Sequence, residues 1–258
     1  MENATLFEVK NDCAWITLNR PENRNALSAQ LVNELYDHLA SANENNEVRI
    51  IILTGNGSAL CAGADLKSPP GQSIDGGEKA IPLSDVLMAM WNSEKPIIAL
   101  VNGAAFGGGL GLVAASDIVI TADDVPFSFS EVRLGVIPAV ISVVCLPKLG
   151  NHHAMRLFLT GKKFKGQKAV EYGIAHRSVP RDELPGAIET EIEALKSAGP
   201  NALIECKKLL RRIPQLSMED GFKEATSWSV RMFKSDEAKE GMTAFREKRK
   251  PSWITDQQ

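Results

Sequence analysis

The sequence predicts an α/β protein, and three observations carry that reading. Continuous β-branched runs such as "VRIIILT" (48–54) suit strands buried on both faces. Between them lie segments whose apolar residues recur at helical spacing. Loops of unequal length, rich in Gly, Pro and polar residues, join the two kinds of segment. Taken in order, "LFEVKNDCAWITLNRP" alternates and then turns apolar around Val9, Trp15 and Ile16 before the Asn19-Arg20-Pro21 stop, a strand pair leading into a loop. "SAQLVNELYDHLASA" sets Leu31, Leu35 and Leu39 on one helical face, with Ser28 placed to cap it. The 48–54 strand follows. Residues 67–82 ("KSPPGQSIDGGEKAIP") read as a mobile loop, "SDVLMAMWN" as a short helix and "KPIIALVNG" as a buried strand. "LGLVAAS" is a helix of small residues and "DIVITAD" the next strand. His152 and His153 start a further helix as surface or capping groups. From about residue 184 the pattern is helical only, and Leu195, Leu203, Leu209, Leu210, Trp228, Met232, Phe233 and Phe245 offer more apolar surface than one layer of helices needs. That surplus predicts packing on a partner subunit. We divide the chain into a core over 1–195 and a helical region over 196–258.

Composition excludes several functions. Hydrophobic residues at 44 % and charged residues at 24 % fit a globular chain rather than a disordered or membrane one. The net charge of −3 argues against a nucleic-acid partner, which calls for a basic excess. No apolar run reaches the roughly 18 residues of a membrane span. Cys13, Cys61, Cys145 and Cys206 are scattered, with no CxxC and no His/Cys cluster, so free thiols and no metal are expected. The first residues carry no secretory or transit pattern, which predicts a cytoplasmic protein.

One stretch calls for a chemical explanation. "GAAFGGGLGLVAASD" (103–117) holds five glycines and four alanines, and glycine inside helices or strands costs about 0.5–1 kcal/mol each relative to alanine. The run is not a dinucleotide fingerprint, because after Gly107 and Gly109 the third glycine would fall at Leu112. It is not a P-loop, since no Gly-Lys-Ser/Thr follows. Together with "CAGADL" (61–66) it places small residues where strands end and helices begin, so that backbone N–H groups can meet a developing anion. Close helix–strand packing through glycine explains the run equally well on composition alone.

Four collinear blocks, "NRPENRNALS", "LCAGADL", "KPIIALVNGAAFGGGLGLVAASDIVI" and "FSEVRLGVIP", resemble those of the crotonase (enoyl-CoA hydratase/isomerase) superfamily, and the likeness runs from about residue 6 to "EGMTAFREKRKPSW". The resemblance implies a spiral of ββα units with a C-terminal helical trimerisation region, an acyl-CoA substrate, and a stabilised thioester enolate. It implies no cofactor beyond the coenzyme A of the substrate itself. Carried over residue by residue, the oxyanion N–H donors fall on Ala64 and Gly108, and the CoA-binding positions on Arg24, Ala26, Ala62, Asp65, Leu66 and the C-terminal Lys248. Two glutamates serve hydration in familiar members. The second matches Glu131 in "FSEVRLG"; the first falls on Gly111 and is missing.

With Glu131 as the single acid, three reactions stay open: hydration, double-bond isomerisation and decarboxylation. Asp75, Glu78 and Asp117 are the other acids nearby, Asp117 with a structural part. The runs "SEVRLGVIPAVIS" and "GAAFGGGLGL" are most similar to the methylglutaconyl-CoA hydratase-like branch, which ranks hydration first and isomerisation second. The non-enzymatic alternative is a scaffold that binds acyl-CoA without turnover.

Overall fold

The computed structural model describes residues 3–66 and 80–254. The predicted loop therefore lies, over 67–79, outside the described residues, as do Asp75 and Glu78. Within the described chain the elements run β1 (Thr5–Lys10), β2 (Cys13–Leu18), α1 (Ala29–Glu44), β3 (Ile50–Gly55), β4 (Ala59–Cys61), α2 (Leu83–Asn92), β5 (Ile97–Val101), β6 (Ala104–Phe106) and α3 (Gly108–Ala115). They continue as β7 (Ile118–Ala122), β8 (Phe127–Ser128), α4 (Ala139–Thr160), α5 (Gly166–Glu171), β9 (Arg177–Val179), α6 (Leu184–Ser197), α7 (Pro200–Arg212), α8 (Met218–Phe233) and α9 (Asp236–Glu247).

The chain divides into two compact units. The first holds residues up to Ser93 and Ile97–Ile188; the second holds Glu94–Pro96 and Glu189–Gln258. In the first, a six-stranded sheet has the order β1-β2-β3-β5-β7-β9. Only β1 and β2 pair antiparallel, through a two-residue turn in which Asn11 and Asp12 both take positive φ, as a tight hairpin requires. The remaining pairs are parallel. β3 is buried along nearly its whole length, as its unbroken Ile-Ile-Ile-Leu run demands. The predicted helix over residues 28–42 is α1, and the Ser28 hydroxyl accepts from the Leu31 N–H at its start. His152 and His153 do begin a helical segment: α4 breaks at Gly150 (φ 61°, ψ 164°) and resumes at them.

A second sheet, with β4, β6 and β8 all parallel, is what positions the site. Its strands are two or three residues long, so each depends on neighbours for its place. β8 is anchored by the fully buried Phe127 and Phe129, by Phe164 stacked 5.5 Å from Phe127, and by the Ser128 hydroxyl donating to the Gly161 carbonyl at 2.9 Å. β4 is anchored through Asn25, whose side chain is fully buried. Its Oδ1 accepts from the Arg20 N–H (2.7 Å), and its Nδ2 donates to the carbonyls of Asn56 (3.0 Å) and Ala59 (2.8 Å). Its backbone sits at φ 53°, a region where asparagine is tolerated better than most residues. Asn25→Ala deletes these bonds, leaves buried backbone groups unpaired and keeps the strained φ. The expected cost is about 2–4 kcal/mol of folding stability, read from denaturant unfolding.

The second unit is helical. Trp228 is buried there, and its indole N–H donates to the Glu205 carboxylate at 2.7 Å. Phe233, by contrast, is 66 % exposed and Phe245 86 % exposed. No helix among the described residues is long and apolar enough to cross a membrane.

Candidate active site

Each strand of the small sheet ends just before one group of the candidate site. β4 leads to Ala62, Gly63 and Ala64, β6 to Gly107 and Gly108, and β8 through Ser130 to Glu131. Because the strands are parallel, all three groups emerge at the same edge, where open parallel sheets bind their ligands.

Ala64 lies in an isolated parallel bridge with Leu27, in which the Leu27 N–H donates to the Gly63 carbonyl at 2.8 Å. Gly63, at φ 93°, lets this strand end press against the next: a Cβ on it would fall 2.9 Å from the Phe106 carbonyl oxygen and 3.5 Å from the Gly108 nitrogen. Gly108 opens α3, where an N–H has no intrahelical acceptor. Among the described residues, neither the Ala64 nor the Gly108 N–H donates a hydrogen bond. Two unspent donors thus stand on abutting segments. The expectation that a helix begins at each small-residue stretch holds for Gly108; after Ala64 the chain passes out of the described residues.

Glu131 begins a 3₁₀ turn closed by the left-handed Gly135 (φ 75°). Its carboxylate comes to rest over Gly107, where a Cβ would lie 3.1 Å from Oε1. Gly107 also has a positive φ of 49°, so the first of the three glycines is pinned both by conformation and by the acid it admits. Oε2 of Glu131 is buried with no hydrogen-bond partner. Burial holds its pKa above the ordinary carboxylate value. Burial also pushes the neighbouring Cys145 thiol up to about 12, with the Glu131 charge adding to it. A half-buried carboxylate with one buried, unpartnered oxygen and a raised pKa is suited to taking up and returning a proton.

The other candidate positions are partly gathered here. Arg24 and Ala62 are tied by the Ala62 N–H donating to the Arg24 carbonyl at 2.9 Å, so the segments carrying Arg24, Ala26, Ala62 and Ala64 run side by side. The Arg24 side chain is exposed, and Leu66 is 70 % exposed. The Asp65 carboxylate lies 3.7 Å from the Arg20 guanidinium. Lys248 lies in the other unit, capping the end of α9 in a left-handed conformation (φ 54°). Asp117 holds the Ile97 N–H at 2.7 Å, the structural part expected of it.

Sequence reasoning missed the residue that fills the space at Gly111. A Cβ there would meet Ile141 Cγ2 at 2.5 Å and Leu87 Cδ1 at 3.6 Å, while at Gly108 it would meet Leu27 Cδ1 at 2.5 Å and Leu83 Cδ2 at 3.2 Å. Leu83 and Leu87 come from α2. The Gly111 side of α3 is therefore walled with hydrocarbon, a partner that nothing in the local sequence announces.

Fold and geometry together define an α/β chain in which two unspent backbone donors and one half-buried carboxylate gather at the end of a small parallel sheet. The chain belongs to the enoyl-CoA hydratase/isomerase family, whose model matches residues 8–257. It is 34 % identical to carnitinyl-CoA dehydratase of Proteus mirabilis over 92 % of this chain and 93 % of that one. It is 32 % identical to the peroxisomal Delta(3,5)-Delta(2,4)-dienoyl-CoA isomerase of Arabidopsis thaliana, covering 92 % and 90 %. The solved enoyl-CoA hydratase of Mycobacterium smegmatis superposes with a TM-score of 0.90 at 29 % identity, covering 98 % of this chain and 100 % of that one. The fold is accordingly that of the crotonases, with the C-terminal helical region present, and the protein is an enzyme of the lyase or isomerase type.

Proposed function

We propose that the protein hydrates an α,β-unsaturated acyl-CoA through a thioester enolate, with Ala64 and Gly108 as the oxyanion donors and Glu131 as the only acid–base group. The observation that carries this is the juxtaposition of the Glu131 carboxylate over Gly107, its Oε2 buried and without a partner, with the free N–H of the next residue. The thioester oxygen accepts from both N–H groups. Glu131 takes a proton from water as the oxygen adds to C3, the electron pair of the double bond moves onto the thioester oxygen, and the same carboxyl returns its proton to C2 as the enolate collapses. The net change is one water added. Arg24, Ala26, Ala62, Asp65, Leu66 and Lys248 would hold the coenzyme A portion. The exposed aromatic residues of the second unit, Phe233 and Phe245, would be covered in a homotrimer or dimer of trimers, consistent with large apolar groups left in solvent.

The hydrocarbon wall of Ile141 and Leu87 favours one second reading, isomerisation, in which Glu131 carries a proton between two carbons of the substrate and no water needs a second polar anchor. A panel of enoyl-CoA thioesters separates them. Loss of enoyl absorbance with gain of the mass of water supports hydration, and unchanged mass with a moved double bond supports isomerisation. Restoring a second carboxylate offers an independent check. Gly111→Glu alone collides with Ile141 and is expected to cost about 1–3 kcal/mol of stability, as overpacked cores do. Gly111→Glu with Ile141→Gly makes room and is expected to raise the hydration rate of a straight-chain enoyl-CoA. A well-folded double variant with no gain counts for isomerisation.

A further inference from the structure

We infer that Lys148 is a positioning residue for this reaction: its ammonium group closes the C-terminal end of α3, the helix whose first N–H faces the substrate oxygen. The inference rests on the oxyanion reading of Gly108 given above. α3 is short, uncharged and buried from Gly109 to Ala115. Its last turn is buried, so its closing carbonyls draw on donors from the protein. The Ser116 N–H donates to the Val113 carbonyl (3.2 Å), the Ser116 hydroxyl to that of Leu112 (3.0 Å), and Lys148 Nζ to that of Ser116 itself (2.7 Å).

The lysine arrives there as part of a continuous contact. Along α4, Ile141 lies over Gly111, the Cys145 thiol points to the Leu110 carbonyl at 3.9 Å, and Lys148 reaches the helix end. Ile141, Cys145 and Lys148 fall at i, i+4 and i+7, one face of a helix. α4 therefore grips α3 from its middle to its C-terminus and leaves the N-terminus free for a ligand. Burial pulls the Lys148 pKa down while Asp117 and Cys145 raise it, so its charge is both desolvated and held in place.

A helix carries about half a positive charge at its N-terminus and half a negative charge at its C-terminus. A cation on the negative end cancels the half-charge that would oppose a developing anion at the other. An eight-residue helix is about 12 Å long, and a unit charge acting over that distance through an effective dielectric near 20 corresponds to about tenfold in rate. Asp117 offsets part of this, which leaves an expected effect of about three- to tenfold.

Two variants test it. Lys148→Met removes charge and donor together; Lys148→Gln keeps a donor for the Ser116 carbonyl and removes only the charge. The readouts are kcat and KM, and the thioester carbonyl stretch of bound butyryl-CoA labelled with ¹³C at that carbon, by difference infrared spectroscopy. Both variants are expected to lose about three- to tenfold in kcat with KM changed less than about twofold, and to move the carbonyl band back toward its position in water. Where Lys148→Met does not fold, Lys148→Gln decides by itself. Folded variants with wild-type kcat and band overturn the inference, and so does Lys148→Gln behaving as wild type while Lys148→Met is impaired, since the hydrogen bond alone would then suffice. A wild-type band that is itself unshifted on binding overturns the oxyanion assignment of Gly108 and Ala64, which separates that failure from the failure of Lys148.

Discussion

Glu131→Gln is expected to lower kcat by about 10²–10⁴-fold on the thioester that the enzyme turns over, with acyl-CoA affinity nearly unchanged. Glutamine keeps the shape of the side chain above Gly107 but cannot accept a proton. Binding without turnover, measured by calorimetry beside steady-state kinetics, is the signature. Full activity in the variant would remove Glu131 from the chemistry and turn attention to the acids of the 67–79 segment. The same substitution is expected to stabilise the fold at neutral pH. Because burial raises the Glu131 pKa above its ordinary value of 4.5, the native state holds a proton that the unfolded chain has already lost. Stability therefore falls as pH rises from the ordinary value through the raised one, and the loss persists above it. Melting curves of the two proteins should diverge over that interval, with the wild type less stable at pH 7, and converge below about pH 4. A carboxylate that costs stability in order to act is what a functional site, rather than a surface charge, looks like.

The second large effect is expected of Gly108→Val. A Cβ there would press on Leu27 and Leu83, and the two methyls beyond it would crowd the approach to the Gly108 N–H, so that the thioester oxygen could not reach it. Loss of one oxyanion donor is expected to cost about 10²–10³-fold in kcat. The clash is with the tips of two flexible leucines and not with backbone, so the variant should fold, with circular dichroism unchanged. Gly107→Ala makes a sharper contrast. Its backbone sits at φ 49° and its Cβ would press on Glu131 Oε1, so it should lose activity by displacing the acid even though the Gly108 N–H stays clear. A Gly108→Val protein with normal turnover would show that the triple glycine serves packing alone, the alternative that composition left open.

The large sheet was legible because its strands carry their own evidence. β3, β5 and β7 are runs of Ile, Val and Leu whose burial on both faces follows from their composition. The start of α1 was legible for a similar reason, since a serine ahead of a leucine repeat can satisfy a free N–H by itself. The helical pattern beyond residue 184 likewise became α6 to α9. Glu131, Ala64 and Gly108 could be singled out from the sequence because small residues and one acid stood in a recognisable order.

What the sequence alone determined is the set of pieces: an α/β core, a helical end, and the motif residues that a thioester enolate chemistry calls for. What only the tertiary structure decided is where those pieces meet. Strands β4, β6 and β8 are too short to show a period, and they exist because distant groups complete them: Asn25 clamps the first, the β4 and β8 ladders hold the second, and Phe164 with Gly161 holds the third. The match of Ile141 to Gly111 and the seat of Lys148 at the end of α3 have the same origin, since each joins α4 to α3 across some thirty positions of chain. Local propensity is blind to such contacts. The free energy that selects them comes from excluding water from apolar side chains and from pairing buried polar groups, and both depend on which segments the folded chain brings together.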